Sequence, residues 1–248
     1  MDAALAAIAF LPGLAIGSFL NVVAARVPLH RSIVHPPSAC MSCGAELAWY
    51  DNIPVVSYLV LRGRCRSCGT HIPLKYPFVE LGTALLIAAC FLVWGLSGDA
   101  LLAAFFCAVL VAVSVIDVER RVIPNRIVVP AAAIVLVAQT ALHPSVEWVV
   151  AGAGAALFLF VAVVAYPAGM GMGDVKLALL LGFMLGRYVP VALMVGMLSA
   201  LVPSGVLLAR HGSAARKMRI PFGPFLALGG VVALFAGEAI LSAYLDLF

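Results

Sequence analysis

The stretch ALLAAFFCAVLVAVSVIDVERR, residues 100–121, decides the fold that the sequence predicts. It carries no charge from Ala100 to Ile116 and then ends in Asp117 and a cluster of further charged residues. A helix needs about 20 predominantly apolar residues to cross a hydrocarbon core of about 30 Å. Residues 100–117 therefore predict a transmembrane helix that ends at an acid.

The rest of the chain repeats this pattern. Of its 248 residues, 65% are hydrophobic and 10% are charged, and the mean hydropathy is +1.15. About a quarter of the residues in an ordinary soluble domain are charged. Transmembrane β-strands would alternate apolar and polar residues, whereas these runs are continuous and rich in Ala, Leu and Val. We predict an all-α polytopic membrane protein with about eight transmembrane helices, at 4–25, 77–95, 100–117, 127–142, 147–166, 175–187, 189–209 and 223–245.

The basic residues predict the orientation, because Lys and Arg are retained on the cytoplasmic side. With the N terminus outside, fourteen of the fifteen basic residues fall in cytoplasmic segments and only Arg187 falls outside. The net charge of +4 then reflects topology, and we expect no nucleic-acid partner. The fourteen are Arg26, Arg31, Arg62, Arg64, Arg66, Lys75, Arg120, Arg121, Arg126, Lys176, Arg210, Arg216, Lys217 and Arg219.

Residues 28–76 are the one long polar stretch, which we expect on the cytoplasmic side. They hold four of the six cysteines as two C-x-x-C pairs, each followed by a glycine that helps the chain turn. This spacing suits tetrahedral zinc, and disulfides are the weaker alternative in a reducing compartment. A site closed by four thiolates has no open position, so the predicted zinc is structural. Its ligands are Cys40, Cys43, Cys65 and Cys68.

Other candidate ligands in the polar stretch are histidines, although four thiols already satisfy the ion. The two remaining cysteines lie within predicted spans, where we interpret them as small buried apolar side chains. The sequence thus predicts three parts: a first transmembrane helix at 1–27, the zinc insert at 28–76 and a membrane core at 77–248. The histidines are His30, His35 and His71, and the cysteines are Cys90 and Cys107.

Two of the acids near the predicted spans are placed alike. Asp117 ends the third span, and Asp174 begins the sixth in GMGDVKL. The third span runs inward and the sixth runs outward, so both aspartates reach the cytoplasmic edge of the membrane. Glycines at 169, 171 and 173 would let another backbone or an extended peptide approach Asp174 closely.

Two close carboxyls share a proton, because both cannot easily ionise. The ionised one can activate water while the protonated one polarises a carbonyl, which is the chemistry of aspartic proteolysis. Helix polarity predicts that Asp117, at a helix C terminus, carries the shared proton more often than Asp174. Lys176 is a candidate orienting partner for Asp174. The alternatives are structural. Asp174 would cap its helix, Asp117 would be a charge at the membrane surface, and Lys176 would extend its ammonium group to that surface.

Five blocks in this order resemble the bacterial type IV prepilin leader peptidases, membrane aspartic peptidases with a G-x-G-D motif. A single G-x-G-D would be weak evidence, but the five blocks cover nearly the whole chain. They are GSFLNVVAARVP (17–28), PPSACMSCGAELAWYDNIPVVSYLVLRGRCRSCG (36–69), IDVERRVIPN (116–125), GMGDVKLA (171–178) and IPFGPFLALG (220–229).

The resemblance implies an enzyme of the bacterial inner membrane that removes the leader of type IV prepilins or pseudopilins at the cytoplasmic face. It also implies methylation of the new N terminus with S-adenosylmethionine, for which the sequence shows no binding fingerprint. The catalytic aspartates of the family fall on Asp117 and Asp174. Alternatives are a presenilin-like intramembrane protease, a proton-coupled transporter and a non-enzymatic, zinc-stapled membrane scaffold.

Overall fold

The computed structural model of the chain describes residues 2–166, 170–212 and 220–246. Within these ranges the secondary structure is helical and no β-strand forms, which confirms the all-α prediction. Short 3₁₀ turns lie at Val27–Leu29, Trp49–Asn52 and Gly186–Tyr188. The helices are α1 (Asp2–Arg26), α2 (Val56–Val60), α3 (Lys75–Trp94), α4 (Gly98–Arg120), α5 (Asn125–Leu142), α6 (Glu147–Ala165), α7 (Met172–Leu185), α8 (Val189–His211) and α9 (Gly223–Leu245).

Seven segments of the described chain are long and apolar enough to cross a membrane, as expected of a multi-pass membrane protein. The predicted sixth and seventh spans fall together in one of these segments, Met172–Arg210, which contains α7 and α8. Helix α7 has 14 residues, so it is about 21 Å long and shorter than a typical hydrocarbon core. It ends where the backbone turns at Gly186, whose φ is +53°.

The chain divides into two compact units, Met1–Ala112 and Val113–Phe248, with the boundary inside α4. In the first unit α1 packs against α3. A Cβ atom at Gly13 would lie 2.8 Å from the Cα of Ala84, and a Cβ at Gly17 would lie 2.6 Å from the Cα of Glu80. The two glycines therefore allow the direct backbone contact that is common between membrane helices.

The second unit is arranged around α7, which contacts α5, α6, α8 and α9. Leu177, Ala178, Leu180 and Leu181 of α7 have no exposed surface. A helix that is apolar on every side is buried by its neighbours rather than amphipathic. Asp174 lies in the first turn of this central helix, so its surroundings are protein rather than an exposed helix end.

Candidate active site

Asp117 lies in the last turn of α4, directly after the fully buried Ile116, and its own side chain is buried. The helix ends three residues later because Arg121 adopts a left-handed conformation, with φ of +56°, and its N–H bonds to the Asp117 carbonyl at 2.8 Å. Pro124 then provides the N-cap of α5 in an extended conformation. The helix thus ends at Arg120, three residues beyond the predicted end at Asp117, and the aspartate lies in its last turn.

Asp174 is the third residue of α7 and is also buried. Its Oδ2 accepts a hydrogen bond of 3.1 Å from the N–H of Gly171, the residue before the helix. The capping role weighed as an alternative is therefore real, although the helix begins at Met172 rather than at Val175. A cap needs no such burial, so capping alone does not account for the position of Asp174.

The structure brings the two predicted aspartates together within the unit Val113–Phe248. Asp117 lies near enough for its charge to act on the carboxyl of Asp174. The relative exposure of the side chains is 5% for Asp117 and 8% for Asp174. Two interacting carboxyls in a desolvated site do not easily both ionise. A pair of this kind offers one group as a base and one as an acid, which is what water activation needs.

The sequence analysis missed Gly223, which supports Asp117 from the start of α9. The N–H of Gly223 donates a buried hydrogen bond of 2.9 Å to Oδ2 of Asp117. Asp117 therefore faces a helix N terminus, as Asp174 does, and the helix-polarity argument for a proton on Asp117 loses its basis. The available signal was the glycine before Pro224, because proline is favoured at the start of helices.

The glycines before Asp174 have different surroundings. A Cβ at Gly173 would lie 2.8 Å from the Cβ of Ile123, so the space left by this glycine is filled by the loop after α4. A Cβ at Gly171 would meet only Oδ2 of Asp174 at 3.7 Å and the Gly173 nitrogen at 3.9 Å. Of these two glycines, Gly171 is the one whose described neighbours leave room for a peptide. Gly169 lies outside the described residues.

Lys176 is bound to a different partner from the one proposed. Its Nζ donates a hydrogen bond of 2.8 Å to Oδ1 of Asn125 at the start of α5. The lysine therefore links the loop after α4 to the first turn of α7 instead of orienting Asp174. Because the loop follows the helix that carries Asp117 and Asp174 lies in the first turn of α7, this exposed contact helps to hold the two segments of the site together.

The four cysteines of the insert form one cluster in the unit Met1–Ala112. Their sulfur atoms all lie within 4.8 Å of one another, and the Cys40 and Cys68 sulfurs are 3.8 Å apart. Four sulfurs at 2.3 Å from a tetrahedral zinc ion would be about 3.8 Å apart. Each pair is followed by a glycine of positive φ, Gly44 at +72° and Gly69 at +69°, as the turn requires. The donor set therefore fits zinc.

Hydrogen bonds shift the pKa values of the cluster's thiols in different directions. A bond with the Thr70 hydroxyl lowers the pKa of Cys68 to about 6, and the backbone at Cys43 lowers the pKa of Cys40. The pKa of Cys43 rises to about 11: the backbone at Ala45 lowers it, but bonds with the Cys68 and Cys40 sulfurs outweigh that effect. Thiolate is the form that binds a metal, and Cys68 is its readiest source here.

The fold and the paired aspartates define a class: a multi-pass membrane protein with two neighbouring acids in one helical unit. Residues 11–94 match the model described as Bacterial Peptidase A24 N-terminal domain, and residues 104–207 match the Type IV leader peptidase family. The chain belongs to the type IV leader peptidase family, so the family predicted from the five sequence blocks is confirmed.

Known relatives align along almost the whole chain. A Bacillus subtilis protein is 37% identical over 251 residues, covering 97% of this chain and 98% of the relative. A Pseudomonas aeruginosa protein is 35% identical over 267 residues, covering 94% and 91%, and a Burkholderia pseudomallei protein is 36% identical over 265 residues, covering 93% and 85%. Each relative is named prepilin leader peptidase/N-methyltransferase. No solved structure matches the chain.

Proposed function

We propose that the chain is a bifunctional membrane enzyme that removes the leader of type IV prepilins or pseudopilins and methylates the new N-terminal residue. The observation that carries the peptidase activity is the buried pair Asp117 and Asp174, near enough to interact through their charges. The names of relatives that cover the whole chain support both activities.

In the proposed peptidase reaction, the ionised aspartate accepts a proton from water as the water oxygen attacks the scissile carbonyl carbon. The protonated aspartate donates its proton to the carbonyl oxygen, which gives a neutral tetrahedral intermediate. The C–N bond then breaks as the leaving nitrogen takes a proton from the first aspartate, and the hydroxyl returns its proton to the second. The N–H groups of Gly171 and Gly223 hold the two carboxyls in place throughout.

The substrate fits the depth inferred for the aspartates. A prepilin has a basic leader followed by an apolar helix, so its junction would lie at the cytoplasmic edge of the membrane. The distribution of basic residues supports an outside N terminus and a cytoplasmic site in the bacterial inner membrane. We assign the first transmembrane helix to 1–27, the zinc insert to 28–76 and the peptidase core, in contact with lipid, to 77–248.

Two further groups complete the proposed enzyme. Zinc held by Cys40, Cys43, Cys65 and Cys68 would fix the insert, which is too small to be stabilised by an apolar core of its own. S-adenosylmethionine, when bound, would supply a methyl group to the new amino terminus. The fit of zinc rests on the spacing of the four sulfurs.

The test of the peptidase uses the purified chain in detergent with a prepilin. Wild type is expected to remove the leader, and Asp117→Ala and Asp174→Ala are expected to leave it attached. Glu119→Ala is the matched control, because Glu119 is an exposed acid two residues from Asp117 on the same helix. Cleavage that persists in both aspartate variants would rule out the pair as the catalytic groups.

A further inference from the structure

A cavity of about 590 Å³ lies inside the unit Met1–Ala112, between α1, the zinc insert and the start of α3. Its size falls in the range of small-molecule sites, about 300 to 1,000 Å³. The residues that line it run from Ser18 to Glu80, so neither Asp117 nor Asp174 is among them. The proposed peptidase chemistry therefore leaves this cavity without a role.

The cavity wall is formed where α1 crosses α3. Gly17 lets the α1 backbone touch α3 at Glu80, which brings Ser18 and Asn21 of α1 to the same wall. Nδ2 of Asn21 donates a hydrogen bond of 3.2 Å to the carbonyl of Tyr76, so Asn21 links the two helices. The polar residues of this wall are therefore held in place by the helix crossing itself.

Glu80 places a buried carboxylate at this wall, with a relative exposure of 8%. Its Oε2 accepts a hydrogen bond of 2.7 Å from the N–H of Val55, and the Ser18 hydroxyl is its second partner. Val55 belongs to the insert and has a φ of +60°, a strained conformation for a β-branched residue. The Glu80 carboxylate thus holds the insert through Val55 and α1 through Ser18, and neither of these partners is charged.

The arginines that line the cavity are already engaged. Arg66 forms a bidentate pair with Asp51, with its Nη2 2.6 Å and its Nε 2.8 Å from the two carboxylate oxygens. Arg26 donates to the carbonyls of Ser32 and Pro37. Among the described residues, neither arginine of the lining pairs with Glu80, which leaves its carboxylate to a cationic ligand. Tyr58 and Tyr76 also line the cavity. The Lys75 ammonium lies 4.9 Å from the centre of the Tyr76 ring, so Tyr58 and one face of Tyr76 are left to a planar group.

We propose that this cavity binds S-adenosylmethionine, with Glu80 as the buried anion that balances the positive charge of the ligand. This inference rests on the proposed methyl-transfer function. The ligand combines a sulfonium cation, an ammonium group and a planar adenine, and the cavity offers a carboxylate and two aromatic rings for them. Asn21, Ser18 and the strained Val55 act by positioning Glu80.

A variant that fills the cavity tests the proposal without removing a charge. Ala25 lines the cavity on the same face of α1 as Ser18 and Asn21, and Ala25→Phe would occupy the space for the ligand. Ala7 is its matched control, because it is also exposed on α1 but does not line the cavity. Equilibrium dialysis of labelled S-adenosylmethionine against the detergent-purified chain is expected to show a Kd raised by about tenfold or more in Ala25→Phe only.

A second variant tests the charge. Glu80→Gln keeps an oxygen that accepts the Val55 N–H, so loss of the charged contact should raise the Kd for S-adenosylmethionine by about tenfold or more. The Kd for S-adenosylhomocysteine, which lacks the sulfonium charge, should change less. A collapsed cavity would weaken both ligands equally, and that result would overturn the role of Glu80. Glu147→Gln is the control, because Glu147 accepts the Arg187 N–H in the other unit.

Leader removal and zinc content, measured on the same samples, separate this proposal from the proposed function. If Ala25→Phe and Glu80→Gln bind S-adenosylmethionine with wild-type affinity, the ligand binds elsewhere, and the proposed bifunctional activity is not contradicted. A wild-type chain that removes leaders but does not bind S-adenosylmethionine would overturn the cavity proposal and the methyl transfer together. A chain without either activity would reject the proposed function first. Weaker binding in both variants, with leader removal and zinc retained, supports the cavity.

Discussion

The backbone N–H of Gly223 donates a hydrogen bond of 2.9 Å to the carboxylate of Asp117, although the two residues are 106 positions apart in the chain. A Cβ atom on residue 223 would lie 2.8 Å from Oδ2 of Asp117 and 3.2 Å from its Cγ. A side chain at position 223 would therefore push the Asp117 carboxylate aside, and the start of α9 determines where that carboxylate lies.

Gly223→Ala is expected to lower the rate of leader removal by about tenfold to a hundredfold, because it displaces the Asp117 carboxylate from its working position. The rate is measured with a prepilin under single-turnover conditions. Gly205→Ala is the control, since a Cβ at Gly205 in α8 would meet no atom within 4 Å. Equal rates in wild type and Gly223→Ala would show that Asp117 tolerates displacement and would remove Gly223 from the site.

The sequence pointed to the two aspartates as candidates but not to the glycine that bonds to one of them. Asp117 ends one apolar run and Asp174 begins another. The distribution of Lys and Arg gives the direction in which each run crosses the membrane, so the sequence alone predicts a common depth for the two aspartates. The contact of Gly223 with Asp117 depends on where the first turn of α9 meets the last turn of α4. No local pattern encodes such packing, and the same limit explains why Lys176 was paired with Asp174 instead of Asn125.

The glycines before Asp174 are expected to differ in their response to a single methyl group. Gly173→Ala should destabilise the protein by about 1–3 kcal/mol, because its Cβ would overlap Ile123 in a packed region. Gly171→Ala should change stability by less than about 1 kcal/mol, because its φ of −101° suits alanine and no described atom would lie closer than 3.7 Å to the new Cβ. Thermal unfolding in detergent measures both changes.

If an extended peptide approaches the site at Gly171, Gly171→Ala should raise KM for the prepilin while thermal stability stays near that of wild type. Gly173→Ala should instead lower stability without a selective effect on KM. An unchanged KM in Gly171→Ala would contradict substrate approach at this glycine and would leave capping of α7 as its role.

Zinc content is the readout for the cysteine cluster. Replacing Cys40 and Cys43 together by serine is expected to lower bound zinc from about one ion per chain to nearly none, because two thiolates remain where a closed site needs four. The control replaces Cys90 and Cys107 by alanine. These two cysteines are buried, and their sulfurs lie 4.0 Å apart away from the insert cluster. An unchanged metal content in the Cys40 and Cys43 variant would contradict the site.

The cysteine cluster and the cavity beside it were predictable to different degrees. The four thiols were found from spacing alone, because two C-x-x-C turns each close on a left-handed glycine, and local geometry sets both the pairs and the turns. Glu80 gave only the weak signal of a single acid within the predicted span 77–95. Its importance came from the crossing of α1 and α3 at Gly17 and from the bond with Val55, both of which are long-range contacts.

The pair of Asp51 and Arg66 within the insert predicts a dependence of its stability on pH. The Asp51 side chain has a relative exposure of 8%, and its hydrogen bonds with Arg66 lower the pKa of its carboxyl. A carboxyl whose pKa is lower in the folded state adds stability above its unfolded pKa of about 3.9, and that contribution is lost as the pH falls through the folded pKa. Asp51→Asn should therefore destabilise the insert at neutral pH but not at strongly acidic pH.

Hydrogen exchange of residues 49–66, compared between wild type and Asp51→Asn over a pH series, measures this effect. Protection should be lower in the variant at pH 7. The difference should begin to close as the pH falls below about 4, where Asp51 of the unfolded chain protonates, and should vanish below the lower pKa of the folded state. Comparison at each pH cancels any loss of metal from the cysteines, because both chains carry the same four thiols. A difference that persists at the lowest pH would mean that Asp51 acts through packing rather than through its charge, and equal protection at neutral pH would show that the pair with Arg66 adds nothing to the insert.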